Sequence, residues 1–119
     1  MEECLQVIKG YFEACKNGKE PKEFTQLSIQ RKEKICTAYW SFHGELVEGE
    51  EINIKILEIE ELVVPFKRKK VTFSLNTDIY QVVIIREKEP IDGKFLFNWQ
   101  NDEGQLGLNP CSLRRLNTR

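Results

Sequence analysis

The sequence predicts an α+β fold in which an N-terminal helix packs on a curved antiparallel sheet of five or six strands. Two periodicities predict it. Apolar side chains recur every three or four positions in residues 2 to 16, which is the spacing of one helix face. From residue 34 the apolar positions alternate instead, and turn-forming residues interrupt them at short intervals, as in consecutive strands. Short connections imply antiparallel neighbours, and the helix is available to cover one face of the sheet.

The helix is predicted for residues 2 to 16. Its apolar stripe consists of Leu5, Ile8, Phe12 and Cys15. Gly18 follows the last turn and can adopt the left-handed conformation that ends many helices. Gly10 lies mid-helix, where glycine costs about 1 kcal/mol relative to alanine, so we expect another element to approach closely there. Pro21 favours the first turn of a short second helix that runs through Leu27.

Alternation predicts the strands that follow. They are residues 35–42, 52–63, 71–75, 79–85, 95–99 and a short segment at 105–108. After Ile56 the apolar role passes to Leu57 and Ile59, and a bulge at this phase slip would curve the sheet. The stretch Asn76–Asp78 is predicted to be a turn. Residues 112–119 are basic and are predicted to be exposed.

The bulk properties indicate a single domain, 1–119, that is soluble and cytoplasmic. Its 19 acidic and 18 basic residues give a net charge of −1, which offers no overall attraction to nucleic acid or to an anionic membrane. The apolar run Val82–Ile85 is far too short to span a bilayer. The first residues lack the basic and apolar regions of a secretory signal, so we expect a reducing, cytoplasmic compartment.

The cysteines and the single histidine do not form a metal-binding pattern. The four cysteines are Cys4, Cys15, Cys36 and Cys111. None belongs to a C-x-x-C pair, so neither a metal nor another cofactor is predicted. Each cysteine lies beside apolar residues, where cysteine usually behaves as a small buried hydrophobe.

A run of glutamates in the middle of the chain is the main candidate for a binding surface. It consists of Glu45, Glu48, Glu50, Glu51, Glu58, Glu60 and Glu61. A basic run follows directly, made of Lys67, Arg68, Lys69 and Lys70. One interpretation is an acidic surface that attracts a basic protein partner over long range. The alternative is a hairpin whose exposed faces pair acid with base across the strands.

The basic run supports a second hypothesis, contact with the phosphates of a nucleic acid. Phe66 and Phe73 flank Lys67–Lys70, and aromatic side chains beside basic ones can stack on bases. The slightly acidic balance of the chain argues against this hypothesis, because nucleic-acid binders commonly carry a net basic footprint.

A third hypothesis is a small-molecule binder or enzyme with an aromatic-lined cone. The aromatic candidates are Trp40, Trp99, Phe95 and Phe97, and the alternative is that they fill a core. His43 precedes Gly44 and is predicted to lie in a loop. Any histidine acid–base chemistry would rest on it, but no motif ties a nucleophile to it, which favours a solvated turn residue. No catalytic residue is therefore predicted.

Two resemblances bear on the fold. Trp99, Gly104, Gly107 and Pro110 stand in the order seen at the end of an SH3-type barrel, which this part of the chain resembles. The match covers less than half of the chain, and Leu113 replaces the tyrosine that the family has after the proline, so peptide binding is not carried over. The order of helix and then antiparallel strands is similar to that of cystatin-like folds, a likeness of fold that establishes no function.

The clustered charge, together with the lack of a catalytic constellation, favours a non-enzymatic protein-binding module. A small inhibitor, immunity or adaptor protein would fit this description. Its expected partner is another protein with a basic surface, with nucleic acid second and a membrane not expected. The sequence leaves the oligomeric state open.

Overall fold

The computed structural model describes residues 2–31, 33–89, 92–97 and 103–116, with the backbone alone for residues 33–38. Within these residues, three α-helices precede a five-stranded antiparallel sheet, which is an α+β fold. The helices are α1 (Glu2–Lys16), α2 (Leu27–Gln30) and α3 (Glu33–Glu45), and a 3-10 turn at Lys22–Phe24 precedes α2. The strands are β1 (Ile54–Leu62), β2 (Arg68–Leu75), β3 (Asp78–Lys88), β4 (Leu96–Phe97) and β5 (Gln105–Arg115).

The first helix has the predicted bounds, and it buries three of the four residues of the predicted stripe, while Leu5 is only partly buried. Its buried residues are Cys4, Val7, Ile8, Tyr11, Phe12 and Cys15. The ring of Phe24, from the 3-10 turn, occupies the space that a side chain at Gly10 would need. The predicted close approach at Gly10 is therefore confirmed.

The strand predicted for residues 35–42 is wrong, because these residues belong to α3. The side chains that α3 and the following turn bury recur at helical spacing: Trp40 is partly buried, and His43 and Val47 are fully buried. Phe42, which alternation would place on the same face as Trp40, is 58% exposed. Gly44 lets α3 lie against the backbone of α1, since a side chain there would meet the carbonyl oxygen of Cys15 at 2.8 Å. The same helix overturns the predicted loop position of His43.

The β1–β2–β3 meander has the predicted turn between β2 and β3 and the predicted irregularity in β1. The pairing of β1 with β2 shifts register between Ile56 and Glu58, so the phase slip in the sequence is a bulge, as predicted. β3 lies inside the sheet, between β2 on one side and β5 on the other. β4 pairs with the end of β3 beyond β2.

The last strand is longer than predicted. β5 extends from Gln105 to Arg115, so residues 112–115 belong to the sheet rather than to an exposed tail. Its pairing with β3 shifts register between Gln81 and Val83, and the exposed Cys111 lies at this irregularity, contrary to the burial predicted for the cysteines. Of the residues that resemble an SH3-type barrel, Gly107 and Pro110 lie in β5, Gly104 directly precedes it, and Trp99 lies outside the described residues.

The two outer strands of the sheet differ in what lies beside them. β1 pairs with β2, and no other described strand lies next to it. Beyond β5, Thr25 forms a bridge with Leu108, and the backbone N–H of Gln26 donates to the carbonyl oxygen of Leu108 at 2.8 Å. The sheet therefore has an open edge at β1, whereas the edge at β5 is covered beside Leu108.

The core lies between α1 and the sheet. Phe12 of α1 and Phe73 of β2 are fully buried, with ring centroids 6.1 Å apart, and Val71, Ile84 and Leu108 surround them. The sheet thus has one face covered by the N-terminal helix, as predicted. No described helix combines the length and the apolar character needed to cross a membrane.

Candidate functional site

Four of the predicted glutamates lie at the end of α3 and in the connection from α3 to β1, in a group that we call the acidic connection. Its members are Glu45, Glu48, Glu50 and Glu51. All four are exposed, and none of them forms an ion pair with a described residue. The group is therefore a patch of negative charge at the start of the open edge strand.

The backbone of the acidic connection is held by the turn between β2 and β3. The side chain of Asn76 donates through Nδ2 to Glu50 Oε2 at 2.7 Å, and its Oδ1 accepts from the N–H of Asn53 at 3.1 Å. The N–H of Asn76 also donates to the carbonyl oxygen of Asn53 at 2.8 Å. Lys16, at the end of α1, donates to the carbonyl oxygen of Glu50. These contacts support the segment that carries the four carboxylates.

The other three glutamates lie on β1, opposite the basic run. Glu60 pairs in register with Lys70, and their side chains form an ion pair at 3.5 Å. Glu61 stands opposite Lys69. At two of the three positions the strands therefore pair an acidic with a basic residue, as in the alternative interpretation of the charge pattern. Each such exposed pair contributes a fraction of a kcal/mol to the stability of the fold.

The basic run is engaged largely within the protein. The guanidinium of Arg68 lies 5.1 Å from the ring centroid of Phe66 and donates to the carbonyl oxygens of Val64 and Phe66 at 2.9 and 3.1 Å. Phe66 stacks on Phe97 with ring centroids 3.8 Å apart, and Phe73 is fully buried. Neither flanking aromatic side chain is presented for stacking on a base.

Exposed apolar side chains accompany the open edge. Leu57, at the bulge of β1, is 49% exposed, and Val63 and Val64, just beyond the end of β1, are 62% and 83% exposed. An edge strand leaves a row of backbone N–H and C=O groups without a neighbour, which makes it a template for pairing with another chain. The edge at β1 therefore combines backbone groups that have no described neighbour with exposed apolar side chains and carboxylates.

The four aromatic candidates do not gather in a cone. Trp40 lies on α3 and packs partly against the core, whereas Phe97 lies in β4, at the far end of β3, and Phe95 directly precedes β4. Trp99 lies outside the described residues. The aromatic side chains that fill the space between α1 and the sheet are Tyr11, Phe12, Phe73 and Tyr80.

His43 is buried in the core rather than solvated in a turn. Its side chain is 2% exposed, and its Nδ1 is 2.6 Å from the hydroxyl oxygen of Tyr11. Desolvation by burial lowers the pKa of His43 to about 4, so the imidazole is neutral at pH 7. The helical spacing of Trp40, His43 and Val47 is the sequence signal that could have placed it in the core.

Two charged side chains at the end of β3 are buried, and the sequence interpretation missed both. Arg86 pairs with Glu3 of α1 at 2.5 Å. Glu87 has no exposed surface; its Oε2 accepts from the backbone N–H of Ser28 at 3.1 Å and its Oε1 lies 3.2 Å from the Ser28 hydroxyl. Burial raises the pKa of Glu87, while the hydrogen bonds from Ser28 oppose the shift. The carboxylate thus serves as a cap for α2, which is a structural role.

A cavity of about 280 Å³ lies between α3, β3 and β5. Its lining consists of Phe42, His43, Leu46, Tyr80, Leu113, Arg114 and Arg115. The sequence interpretation missed this site, since it assigned the two arginines to a tail and the residues around His43 to a strand and a loop. The irregular pairing of β5 is what carries Leu113, Arg114 and Arg115 to this end of β3.

A second cavity, of about 480 Å³, lies between α1 and the 3-10 turn. Its lining includes Gln6, Gly10, Glu13 and Phe24, and it is an open surface depression beside the helix. Among the described residues, no three side chains of His, Cys, Asp or Glu come together in a way that could hold a metal ion.

Comparisons of the chain with protein-family models, with curated proteins and with solved structures find no match.

Proposed function

We propose that this protein is a protein-binding module that presents the acidic connection and the open edge of β1 to a basic partner. A small inhibitor, immunity or adaptor protein would use such a surface. The proposal is supported by position: glutamates without a described counter-charge stand directly beside a strand whose outer edge has no described neighbour.

The chemistry of the surface suggests the kind of partner. An extended segment can add to an exposed sheet edge through main-chain hydrogen bonds, while its alternate side chains meet those of the edge strand. Lysine or arginine side chains on that segment would meet Glu48, Glu50 and Glu51 at one end of β1. Apolar side chains would meet Leu57, Val63 and Val64 further along. The negative charge would mainly raise the association rate and select against acidic partners.

The first experiment asks whether a protein partner exists. Affinity capture with the full chain, followed by mass spectrometry, should recover a protein in stoichiometric amount with a basic binding segment. Recovery of a nucleic acid or a metabolite without any stoichiometric protein would overturn the proposal.

The second experiment tests the surface with the captured partner. The triple variant E48K/E50K/E51K should lower the association rate at low salt by about tenfold or more, because it reverses the charge that steers the encounter. The matched control E2K/E13K/E23K makes the same charge change at exposed positions on α1 and the 3-10 turn, and should alter the rate far less. Equal effects of the two triple variants would show that only net charge matters and would refute the assigned surface.

A further inference from the structure

We propose that two copies of this chain associate through β1, with their β1 strands paired antiparallel about a two-fold axis. The inference rests on the proposed function, because it uses the same surface and names a second copy as one basic partner of the acidic connection. Its basis is the charge at the two ends of β1, together with the exposed side chains between them.

The two ends of β1 carry opposite charges that the described residues do not balance. The acidic connection lies at the start of the strand, and its four carboxylates form no ion pair with a described residue. Lys67 and Arg68 lie beyond the other end, and within the described part of the chain these cations form no ion pair either. The carbonyl oxygens of Val64 and Phe66 accept from Arg68 and hold its guanidinium without neutralising it.

The distance between these charges decides the direction in which a second strand pairs. β1 has nine residues and therefore spans about 30 Å. This length exceeds the Debye length of about 8 Å at physiological ionic strength, so each charged end interacts mainly with the chain that it faces. Parallel pairing would place the two acidic connections side by side. Antiparallel pairing instead places the acidic connection of each copy near Lys67 and Arg68 of the other, and two-fold symmetry makes this favourable contact occur twice.

The side chains between the two ends also suit a second copy. Leu57 lies near the middle of β1 and is 49% exposed, so antiparallel pairing brings the two Leu57 side chains together near the two-fold axis. Lys55 is exposed and forms no ion pair with a described residue. It precedes Glu58 on the same strand, and the antiparallel direction brings the Lys55 of each copy toward the Glu58 of the other. The strand is thus complementary to itself in charge and in apolar character.

The size of the contact predicts how tightly the copies associate. A contact made mainly by one strand from each copy lies at the low end of specific interfaces, below about 1,200 Å². We therefore expect a dissociation constant in the micromolar range. Such a pair dissociates on dilution, which frees β1 for another protein.

The first test is the association of the purified full chain with itself. In sedimentation velocity, the mass should rise with concentration from 14.0 kDa toward twice that value. Amide exchange measured over the same concentrations should slow in β1 and stay unchanged in β3, because β3 already pairs on both sides. Association without added protection of β1 would place the contact elsewhere and overturn the inference.

The second test exchanges charges between the two ends of the strand. The variants E48K/E50K/E51K and K67E should each weaken self-association by about tenfold or more, because each removes the attraction from both contacts of its own pair. An equimolar mixture should associate about tenfold more tightly than either variant alone. In the mixed pair, Lys67 and Arg68 of the first variant meet the intact acidic connection of the second.

Matched controls make the same charge changes away from β1. E2K/E13K/E23K and K19E alter exposed positions on or near α1 and should leave self-association nearly unchanged. Circular dichroism checks that all the variants keep the fold. A mixture of E48K/E50K/E51K with K67E that associates no more tightly than its components would overturn the antiparallel arrangement.

The outcomes also separate this inference from the proposed function. A chain that stays at 14.0 kDa, while E48K/E50K/E51K still slows the binding of a captured protein, would overturn the pairing and leave the proposed function standing. A pair with the expected charge dependence, in a chain whose affinity capture recovers only a nucleic acid or a metabolite, would support the pairing and overturn the proposed function.

Discussion

His43 illustrates how burial changes a side chain that titrates near neutral pH in water. The imidazole packs against Tyr11 and Phe12, with ring centroids 5.5 and 6.3 Å away. Proton uptake would place a positive charge among these apolar and aromatic groups, where the charged form is poorly solvated. The lowered pKa of His43, about 4, therefore follows from its position on α3.

The lowered pKa of His43 predicts that stability falls as the solution is acidified. Between pH 6.5 and about 4, the unfolded chain binds a proton on His43 that the folded chain does not bind. The free energy of unfolding should therefore decrease through this window, by on the order of 3 kcal/mol from this group, and stay level above it. Urea unfolding at pH 7.5, 6.5, 5.5 and 4.5 measures the effect.

The variant H43Q isolates this contribution, since glutamine does not titrate. On acidification Glu87 changes the free energy of unfolding in the opposite direction, because its raised pKa means that the folded chain binds a proton more readily than the unfolded chain. Both proteins contain Glu87, so its contribution cancels when the unfolding free energy of H43Q is subtracted from that of the wild-type chain. A difference that stays constant from pH 7.5 to 4.5 would contradict the assignment.

At the level of single residues, the sequence predicts burial well where a regular element determines it. Cys4 and Cys15 are buried as predicted, because they lie on the buried face of α1. Cys111 is exposed because it lies at the irregularity of β5. The burial of Glu87 depends on Ser28, which is 59 positions away along the chain, and no local pattern reports such a pair.

At the level of elements, β5 contains the largest irregularity of the sheet. Between the pairs Gln81–Arg114 and Val83–Asn109, one residue of β3 faces four of β5. Ser112 bridges this gap: its hydroxyl donates to the carbonyl oxygen of Asn109 at 2.7 Å and accepts from the N–H of Val83 at 2.8 Å. A side chain thus takes the place of a backbone carbonyl in the ladder.

Removing this hydroxyl should weaken the fold at β5. S112A leaves the N–H of Val83 without its acceptor, which should lower the free energy of unfolding by about 1–3 kcal/mol. S112T keeps the hydroxyl and should stay within about 1 kcal/mol of the wild-type chain. Urea denaturation at pH 7 compares the three proteins, and equal losses for both variants would show that the hydroxyl does not support the ladder.

Elements were predictable where a single periodicity governed the segment. The stripe of α1 and the phase slip after Ile56 are local patterns, and both are confirmed. The segment that forms α3 is rich in aromatic residues, which also favour strands. In a strand, Phe42 would share the buried face with Trp40, but in the helix Phe42 is exposed. Packing of Gly44 against α1 decides in favour of the helix, and that contact spans the fold.

At the level of the whole molecule, β3 should be the most stable part of the sheet. It pairs with β2, β4 and β5, and most of its side chains from Tyr80 to Glu87 are buried. β1 pairs on one side only among the described strands. Amide hydrogen exchange should therefore be slowest in β3 and faster in β1, at the N–H groups that point away from β2.

Exchange measured by NMR or mass spectrometry checks this order. Protection of the outward N–H groups of β1 equal to that of β3 in the isolated chain would mean that the edge is not open. In the presence of a protein partner, the same groups should become protected if the partner adds to the edge.

The candidate sites depend on contacts between distant parts of the chain more than the individual helices and strands do. The glutamate run is visible in the sequence, but only the fold divides it into the acidic connection and three residues of β1 that face β2. The cavity was not predictable, because Leu46, Tyr80 and Leu113 come from distant parts of the chain. In the sequence, Arg114 and Arg115 belong to a basic segment, and their place in a strand follows only from the pairing with β3.

The covered edge at β5 limits how copies of this chain can associate through their sheets. A sheet with two open edges can accept a neighbour on each side and so grow without end. Here Thr25 and Gln26 already occupy the positions beside Leu108, so an incoming strand cannot add at that part of β5, whereas β1 has no described neighbour along its outer side. A second copy that paired its own β1 with this one would cover the open edge of both molecules and form a closed pair.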